Sequence, residues 1–315
     1  MDLYFPAMGA HWLYQKNIYQ MNNPLVSIGL PCYNVEKFIA WAVKSVLAQT
    51  YTNFELIITD DGSTDNTVDE IKKFNDPRIK LIVDGENHGI SYRLNQQIDM
   101  AKGDIFIRMD GDDLMFPTRV EEQVRYLLEH PDVDVVGGQA IIIGDNNELL
   151  GYRGSKPQNL TFEALLSGSC FIHPTVAGRI GFFKKFHYDE NMSGVEDHHL
   201  WLRGFNDGKY DWMDKPVLFY RDPLVFKLST YLYRQKRHRS ACRQFECLFP
   251  AYKTTIFKCI VSSYVKTIFS SILSFFHQDN RMIAKRNKAI PSSEVTEYQK
   301  ILDEVVEERY RLRLT

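Results

Sequence analysis

The sequence predicts an α/β fold built on a mostly parallel central sheet with flanking helices, followed by a helical C-terminal extension. Three observations carry the prediction. Short apolar runs alternate with helix-spaced segments across about 115 residues, the rhythm of strands joined by helical crossovers. The runs are bounded by turn-forming residues. Polar clusters follow three of them, at Tyr33-Asn34, Asp60-Asp61 and Asp110 to Asp113, where open sheets of this kind bind ligands, beyond the carboxyl ends of their strands.

Val26 to Leu30 is a short apolar run closed by Pro31 and reads as a buried strand. From Val35 to Gln49, apolar residues fall at Phe38, Ile39, Ala42, Val43, Val46 and Leu47, which is helical spacing. Glu55 to Thr59 is a second strand. Gly62-Ser63-Thr64-Asp65 supplies a turn and a helix start, because short polar side chains cap free N–H groups, and Val68 to Phe74 continues that helix. Ile79 to Val83 is a third strand and Ser91 to Ala101 a helix. Asp104 to Met109 is a fourth strand, Pro117 to Glu129 a helix with proline at its start, and Val133 to Val136 a fifth strand.

The chain has 315 residues, 44% of them hydrophobic, enough for a sizeable core. Its five cysteines show no metal-like pairing, and no His/Cys arrangement suggests a zinc site. Cys242 and Cys247 read as two buried or half-buried thiols, and an odd count fits a reducing compartment. The net charge of −2 hides an asymmetry. Residues 234 to 290 carry 12 Lys and Arg against Glu246 and Asp279, a net of +10. Such a segment suits an anionic surface. Residues 1 to 20 do not read as a signal peptide. Met21 reads as the natural start, with residues 1–23 an N-terminal arm.

Ile107-Arg-Met-Asp-Gly-Asp-Asp113 concentrates three carboxylates in four residues after a strand. Carboxylate oxygens are hard ligands and suit a hard divalent cation that also holds phosphate oxygens; an acidic loop solvated at the surface is the plainer reading. GxGxxG and GxxxxGK[ST] are both lacking, which excludes the corresponding dehydrogenase and P-loop readings.

Five segments, VSIGLPCYN (26 to 34), SVLAQTYTNFELIITDDGSTDNT (45 to 67), NHGISYRLNQQIDMAKGD (87 to 104), RMDGDD (108 to 113) and VEDHHLWLR (195 to 203), occur in an order that resembles the inverting nucleotide-sugar glycosyltransferases of the GT-A fold, glycosyltransferase family two. The likeness runs from about Pro24 to Arg221, roughly two thirds of the chain. It implies a catalytic domain at 24–233, a basic amphipathic helical region at 234–315, and these roles. Pro31, Tyr33, Asn34, Asp60 and Asp61 would line the nucleotide pocket, with Tyr33 stacking on a uracil face and Asp61 accepting its N3 proton; helix capping is the plainer role for the two aspartates. Asp112 would bind manganese or magnesium on the diphosphate. Asp110 would contact ribose, sugar or the metal shell, and Asp113 would order the loop. Asp197 would be the general base, with Glu196 beside it the second choice; the plainer reading is that both acids favour a helix start at 197 to 205. His173, in a His-Pro pair, would reach the diphosphate or acceptor. His198 and His199 would either tune the acceptor site or pack.

The same resemblance implies a nucleotide-sugar donor, a glycan or glycolipid acceptor, surface polysaccharide or lipooligosaccharide synthesis, no nucleic acid, and a cytoplasmic protein at the inner face of the membrane. A sugar nucleotidyltransferase and an inactive nucleotide-sugar-binding protein are the alternatives. The first usually has a glycine-rich basic loop after the first strand, where this chain has Pro31-Cys-Tyr-Asn-Val-Glu36. The second is opposed by the retained Asp112 and Asp197.

From Ile256 to Phe276, apolar pairs recur every four residues. That period drifts about 40° per step on an α-helix, so the stripe is expected to wind around the helix. Lys258 and Lys266 oppose a simple spanning helix. The readings left are a helix in the membrane interface beside the cationic residues, or one packed on the catalytic domain or on a second subunit of a homodimer. Glu294 to Arg313 reads as a charged helix with Ile301, Val305 and Val306 available for packing.

Overall fold

A computed structural model describes residues 23–154, 160–168, 171–222, 224–278, 280–283 and 286–307. The expected arm at 1–22, Cys170 and residues 308–315 lie outside the described residues. The elements are β1 (Val26–Cys32), α1 (Ile39–Leu47), β2 (Phe54–Asp60), α2 (Thr67–Lys72), β3 (Ile79–Val83), α3 (Ile90–Met100), β4 (Ile105–Arg108), β5 (Leu114–Met115), α4 (Arg119–Glu129), β6 (Val135–Ile143) and β7 (Leu149–Arg153). They continue with α5 (Phe162–Ser167), β8 (Ala177–Arg179), α6 (Ile180–Phe186), α7 (Glu196–Arg203), β9 (Tyr210–Arg221), α8 (Leu228–Leu248), α9 (Lys253–Phe275), α10 (Asn280–Ile283) and α11 (Ser292–Val306).

Strands form one sheet in the order β3-β2-β1-β4-β8-β6-β9-β5, with β7 on β6. The β3-β2-β1-β4 half is parallel, as expected. The remainder adds antiparallel pairs to it. Only β6 and β9 pair parallel there, while β4–β8, β6–β8, β6–β7 and β5–β9 are antiparallel. The sheet as a whole is therefore mixed.

The apolar runs become strands because they are covered on both faces: Ile28, Leu30, Leu56, Ile58 and Ile107 on one, and Ile57 and Phe106 on the other, are all fully buried. Each such side chain contributes about 1.5–3 kcal/mol over its exposed state. One face packs on α1 and α4 through Ile39, Val43, Val46, Val120 and Val124. The other packs on α3, α6, α7 and α8 through Leu94, Ile98, Phe183, Trp201 and Phe245. Helix α11 seals a third cluster, placing Leu302 and Val305 against Phe116, Ile141 and Phe219. The C-terminal helix thus completes the core around the sheet.

β1 runs on through Pro31 to Cys32 instead of closing at Leu30. Its pairing with β4 ends at Gly29, so Pro31, which lacks an N–H, falls where that side of the strand is open. The expected first helix starts at Ile39, because residues 35 to 38 are tied to the next loop instead. Val35 N–H donates to Thr67 Oγ1 and Glu36 N–H to Asp65 Oδ2. The 233/234 boundary falls inside α8: composition changes there while the helix continues.

Candidate active site

Adjacent parallel strands β2, β1 and β4 deliver three polar clusters to one sheet edge. Tyr33 follows β1 and is 48% exposed. Asn34 adopts φ +51°, and its side-chain oxygen accepts the Thr64 N–H. Ser63 Oγ accepts the Asn34 N–H in return. The loops after β1 and β2 are thereby laced into one rim.

Asp60 is buried and accepts the Ser63 N–H at 2.9 Å, shaping the turn at Gly62. Gly62 has φ +74°, and a Cβ there would lie 2.9 Å from the Glu86 carbonyl carbon, so a side chain is excluded twice. Asp61 accepts N–H groups from His88 and Gly89 and pairs with Arg93 Nε at 2.9 Å. Arg93 is itself buried and grips Asp84 with both terminal nitrogens. Asp61 therefore anchors the 84–93 loop. One oxygen, Oδ2, takes only the shared Gly89 N–H, and carboxylate oxygens accept more than one donor.

Beyond β4, Asp110, Asp112 and Asp113 each offer an oxygen within 4.8 Å of the others. Asp113 is buried; one oxygen accepts the Arg221 N–H at 2.8 Å, and Oδ2 has no partner among the described residues. Arg221 also binds the Asp112 carbonyl and, across the loop, Gly144 and Asn147. This matches the loop-ordering role expected for Asp113. Burial first, and then the Asp110 charge, pushes Asp112 up to about 6. Burial followed by its two neighbours pushes Asp113 well above the usual carboxylate range. Crowded carboxylates in this condition have a deficit of positive charge.

Arg108 partly answers it. Its side chain is 5% exposed and meets Asp110 at 2.5 Å. Burial alone would lower its pKa, but Asp110 together with Tyr188, Asp113 and Tyr220 outweighs it and raises it. Its Nε and Nη1 have no partner among the described residues. An unpaired buried guanidinium nitrogen is costly unless a ligand completes it.

Tyr188 is the second residue that the sequence did not single out. It is 3% exposed, and its hydroxyl lies 2.9 Å from His173 Nε2. Burial raises its pKa, with opposing influence from Arg108 and further upward influence from Asp197, Glu196 and Asp110. Tyr188 thus stands in electrostatic reach of both the β4 carboxylates and the start of α7. Burial, reinforced by Arg108, holds His173 well below its ordinary range and therefore neutral. Glu196 and Asp197 occupy the first turn of α7. Glu196 accepts the Gly194 N–H, and burial with the Asp197 charge raises it. Asp197 lines a cleft of about 470 Å³ with Arg234, His238, Lys258, Cys259 and Lys266.

Thus the structure groups Asp110, Asp112, Asp113, His173, Glu196 and Asp197 around Arg108 and Tyr188. Tyr33, Asn34, Asp60 and Asp61 form the adjoining rim, and Pro31 is buried inside β1. His198 and His199 are buried on α7, and His198 also lines the cleft with Asp197. His198 Nε2 donates to the Leu165 carbonyl at 2.6 Å, and His199 Nε2 meets Gln244 Oε1 at 2.9 Å. Both pack.

A mixed α/β sheet with an acidic crevice over its parallel half defines a glycosyltransferase of the GT-A type. Residues 27–189, just over half the chain, match the family model described as glycosyl transferase family 2. The chain belongs to that family. It is 33% identical over 222 residues to EpsE of Bacillus subtilis, itself a glycosyltransferase by assignment, covering 67% of this chain and 78% of that one. It is also 33% identical over 187 residues to WfgD of Escherichia coli, a UDP-Glc:α-D-GlcNAc-diphosphoundecaprenol β-1,3-glucosyltransferase, covering 59% and 72%. The fold is shared with Staphylococcus aureus TarS 1-349 in complex with UDP-GlcNAc, at TM-score 0.61, 18% identity and 91% and 82% coverage. It is shared too with the Pyrobaculum calidifontis mannosyltransferase PcManGT in complex with GDP-Man and Mn2+, at TM-score 0.56, 16% identity and 96% and 90% coverage.

Proposed function

We propose that this glycosyltransferase moves a sugar from a UDP-sugar to a hydroxyl of a glycan or glycolipid acceptor, with inversion, during surface polysaccharide assembly. The observation that carries the reading is that Arg108 is paired with Asp110 and Tyr188 is bonded to His173, with both in electrostatic reach of the acids that start α7. Donor-binding and base groups then share one crevice.

Tyr33 offers an exposed ring on which a uracil could stack, and Asp61 Oδ2 keeps capacity for one ligand N–H. Arg108 supplies two unspent donors to the diphosphate or sugar. Asp197 takes the acceptor hydroxyl proton as that oxygen bonds to the anomeric carbon. The bond from that carbon to the diphosphate oxygen breaks, and its electron pair leaves with the nucleoside diphosphate. A positioned base contributes roughly 10²–10⁴-fold. Single displacement through one base inverts the centre. Neutral His173 and Tyr188 orient groups around that proton path. Three carboxylate oxygens within 4.8 Å, all on acids with raised pKa, suit a hard cation. Asp112 with Asp110 would hold manganese or magnesium, which would neutralise charge on the leaving diphosphate as a Lewis acid.

Helix α9 supports a cytoplasmic enzyme seated on the inner face of the membrane. It is long and apolar enough to cross a membrane. It packs on α8 through a polar seam, however. Arg239 donates to Ser263 and Thr267 at 3.0 Å each, and Ser263 bonds Gln235. Spanning would drag the α8 cations into hydrocarbon. The opposite face exposes Phe257, Val261, Val265, Ile268, Ile272 and Phe275. Tyr264 and Phe269 are exposed as well, so both members of two apolar pairs face outward and the uncovered apolar surface is broad. Such a face beside a basic helix fits interfacial binding to anionic lipid.

The test is transfer and slow hydrolysis of radiolabelled UDP-sugars with and without manganese. Release of UDP that depends on the cation is expected. A folded protein that binds no nucleotide sugar in calorimetry overturns the proposal.

A further inference from the structure

His238 and Cys242 lie one turn apart on α8, and Cys259 meets them from α9. One donor atom from each lies within 4.8 Å of the others. His238 Nε2 is 3.2 Å from Cys259 Sγ and 3.6 Å from Cys242 Sγ. Tetrahedral zinc, with Zn–S about 2.3 Å and Zn–N about 2.0–2.1 Å, holds sulfur and nitrogen ligands roughly 3.6 Å apart. The two nitrogen–sulfur spacings need adjustments of a few tenths of an ångström at most.

The hydrogen bonds around the cluster select the tautomer that a metal requires. His198 Nε2 faces the Leu165 carbonyl, which only accepts, so that nitrogen carries the proton. His198 Nδ1 lies 3.3 Å from His238 Nδ1, a contact that a proton on His238 Nδ1 would satisfy, and His238 Nε2 faces both sulfurs. Metal-bound imidazoles are commonly oriented in this way, through a hydrogen bond from the other ring nitrogen.

We infer that His238, Cys242 and Cys259 form a zinc-type site that pins α8 to α9. Soft thiolates with one imidazole favour zinc over the manganese or magnesium suited to the β4 carboxylates. Binding replaces two thiol protons, released to solvent, with two sulfur–metal bonds and one nitrogen–metal bond. The Cys259 S–H donated to the Leu166 carbonyl is one of those given up. His238 and Cys259 both line the Asp197 cleft, which gives the ion an entry path and room for water as fourth ligand. Through the His238–His198 bond the site braces the residue next to Asp197. It is a positioning device, separate from the donor cation.

The experiment uses the full chain purified under reductant from zinc-supplemented cells, then cobalt titration of chelator-stripped protein. About one zinc per chain is expected. Cobalt should give the visible bands of a tetrahedral ion and a near-ultraviolet sulfur-to-metal band. Asp112→Asn and Cys247→Ser should keep that band, and Cys242→Ser/Cys259→Ser should lose it. The proposal is overturned by folded wild-type protein that retains no zinc and shows no sulfur band, or by a band that survives in the double variant. A Cys242–Cys259 disulfide in the freshly purified chain, found by mass spectrometry, overturns it as well. The wild-type spectrum decides the matter even if a variant misfolds.

Discussion

The parallel half-sheet and the α8–α9 pair bury opposite kinds of surface. Around β1, β2 and β4 the interior is Ile28, Leu30, Ile58 and Ile107, and polar groups are pushed to the strand exits. Between α8 and α9 the interior includes Ser263 and Ser270, with Thr267 bonded to Arg239, while phenylalanine, valine and isoleucine face outward. The first arrangement is stabilised chiefly by the hydrophobic effect. The second has less of that driving force, supplied by Ala241, Phe245 and Ile256, and relies also on hydrogen bonds, on the proposed ion, and on whatever covers its apolar face. Small and hydroxylated residues at the seam are also what close helix pairs use when lipid surrounds them. The two regions meet at α7, where Asp197 stands.

That junction gives the largest expected effect. Asp197→Asn should lower transfer by roughly 10²–10⁴-fold and leave UDP-sugar affinity, measured by calorimetry, little changed. Asp112→Asn should do the reverse in character, removing the manganese dependence of donor binding. If Asp197→Asn transfers at the normal rate, the helical side supplies no base and the comparison loses its catalytic meaning.

Core truncation should separate the regions next. Ile58→Ala leaves a cavity in the sheet and should cost about 2–5 kcal/mol in urea unfolding. Ile268→Ser on the outer face of α9 should change stability by no more than about 0.5 kcal/mol. The same Ile268→Ser should weaken flotation with anionic vesicles by about tenfold, since each inserted apolar side chain is worth about 1.5 kcal/mol or more. Equal destabilisation by the two variants would mean that α9 is packed within a folded assembly and does not lie on lipid.

What the sequence revealed follows the same division. The half-sheet was legible because its signals are local: an apolar run, a turn, an acidic exit. Asp110, Asp112 and Asp113 are neighbours in the chain. The antiparallel half was not legible. β8 has three residues, and β9 carries Asp214, Lys215 and Pro216 at its middle, where its register with β6 shifts. Arg108 stood in a quoted motif, but its unpaired nitrogens are a property of burial. Tyr188 depends on His173 and on Asn95, 93 residues away. His238, Cys242 and Cys259 escaped notice because two lie a turn apart and the third comes from the next helix, while the visible pair, Cys242 and Cys247, misdirected attention. Cys247 is exposed and takes no part.

The smallest effect concerns pH and sharpens the contrast in how each region satisfies its polar interior. The half-sheet neutralises buried Arg93 with Asp61 and Asp84, an ionic solution. The α8–α9 seam uses mainly hydroxyl and amide groups, with the His238–Cys242–Cys259 cluster as its ionisable part. Hydrogen bonds from Arg93, and next the Glu86 N–H, hold Asp84 well below the usual carboxylate range. A depressed folded pKa means that this contribution is fully present above the unfolded value of about 3.9 and is lost as pH falls below it. Asp84 is partly exposed, so salt should weaken the effect. Hydrogen exchange should therefore show the 84–93 loop opening on acidification from pH 5 toward pH 3, to the same extent whether or not the α8–α9 site has first been stripped with chelator. Asp84→Asn should open the loop already at pH 7 and flatten that dependence. Parallel loss of protection in both regions would show that the Asp84–Arg93 pair has no separate local role.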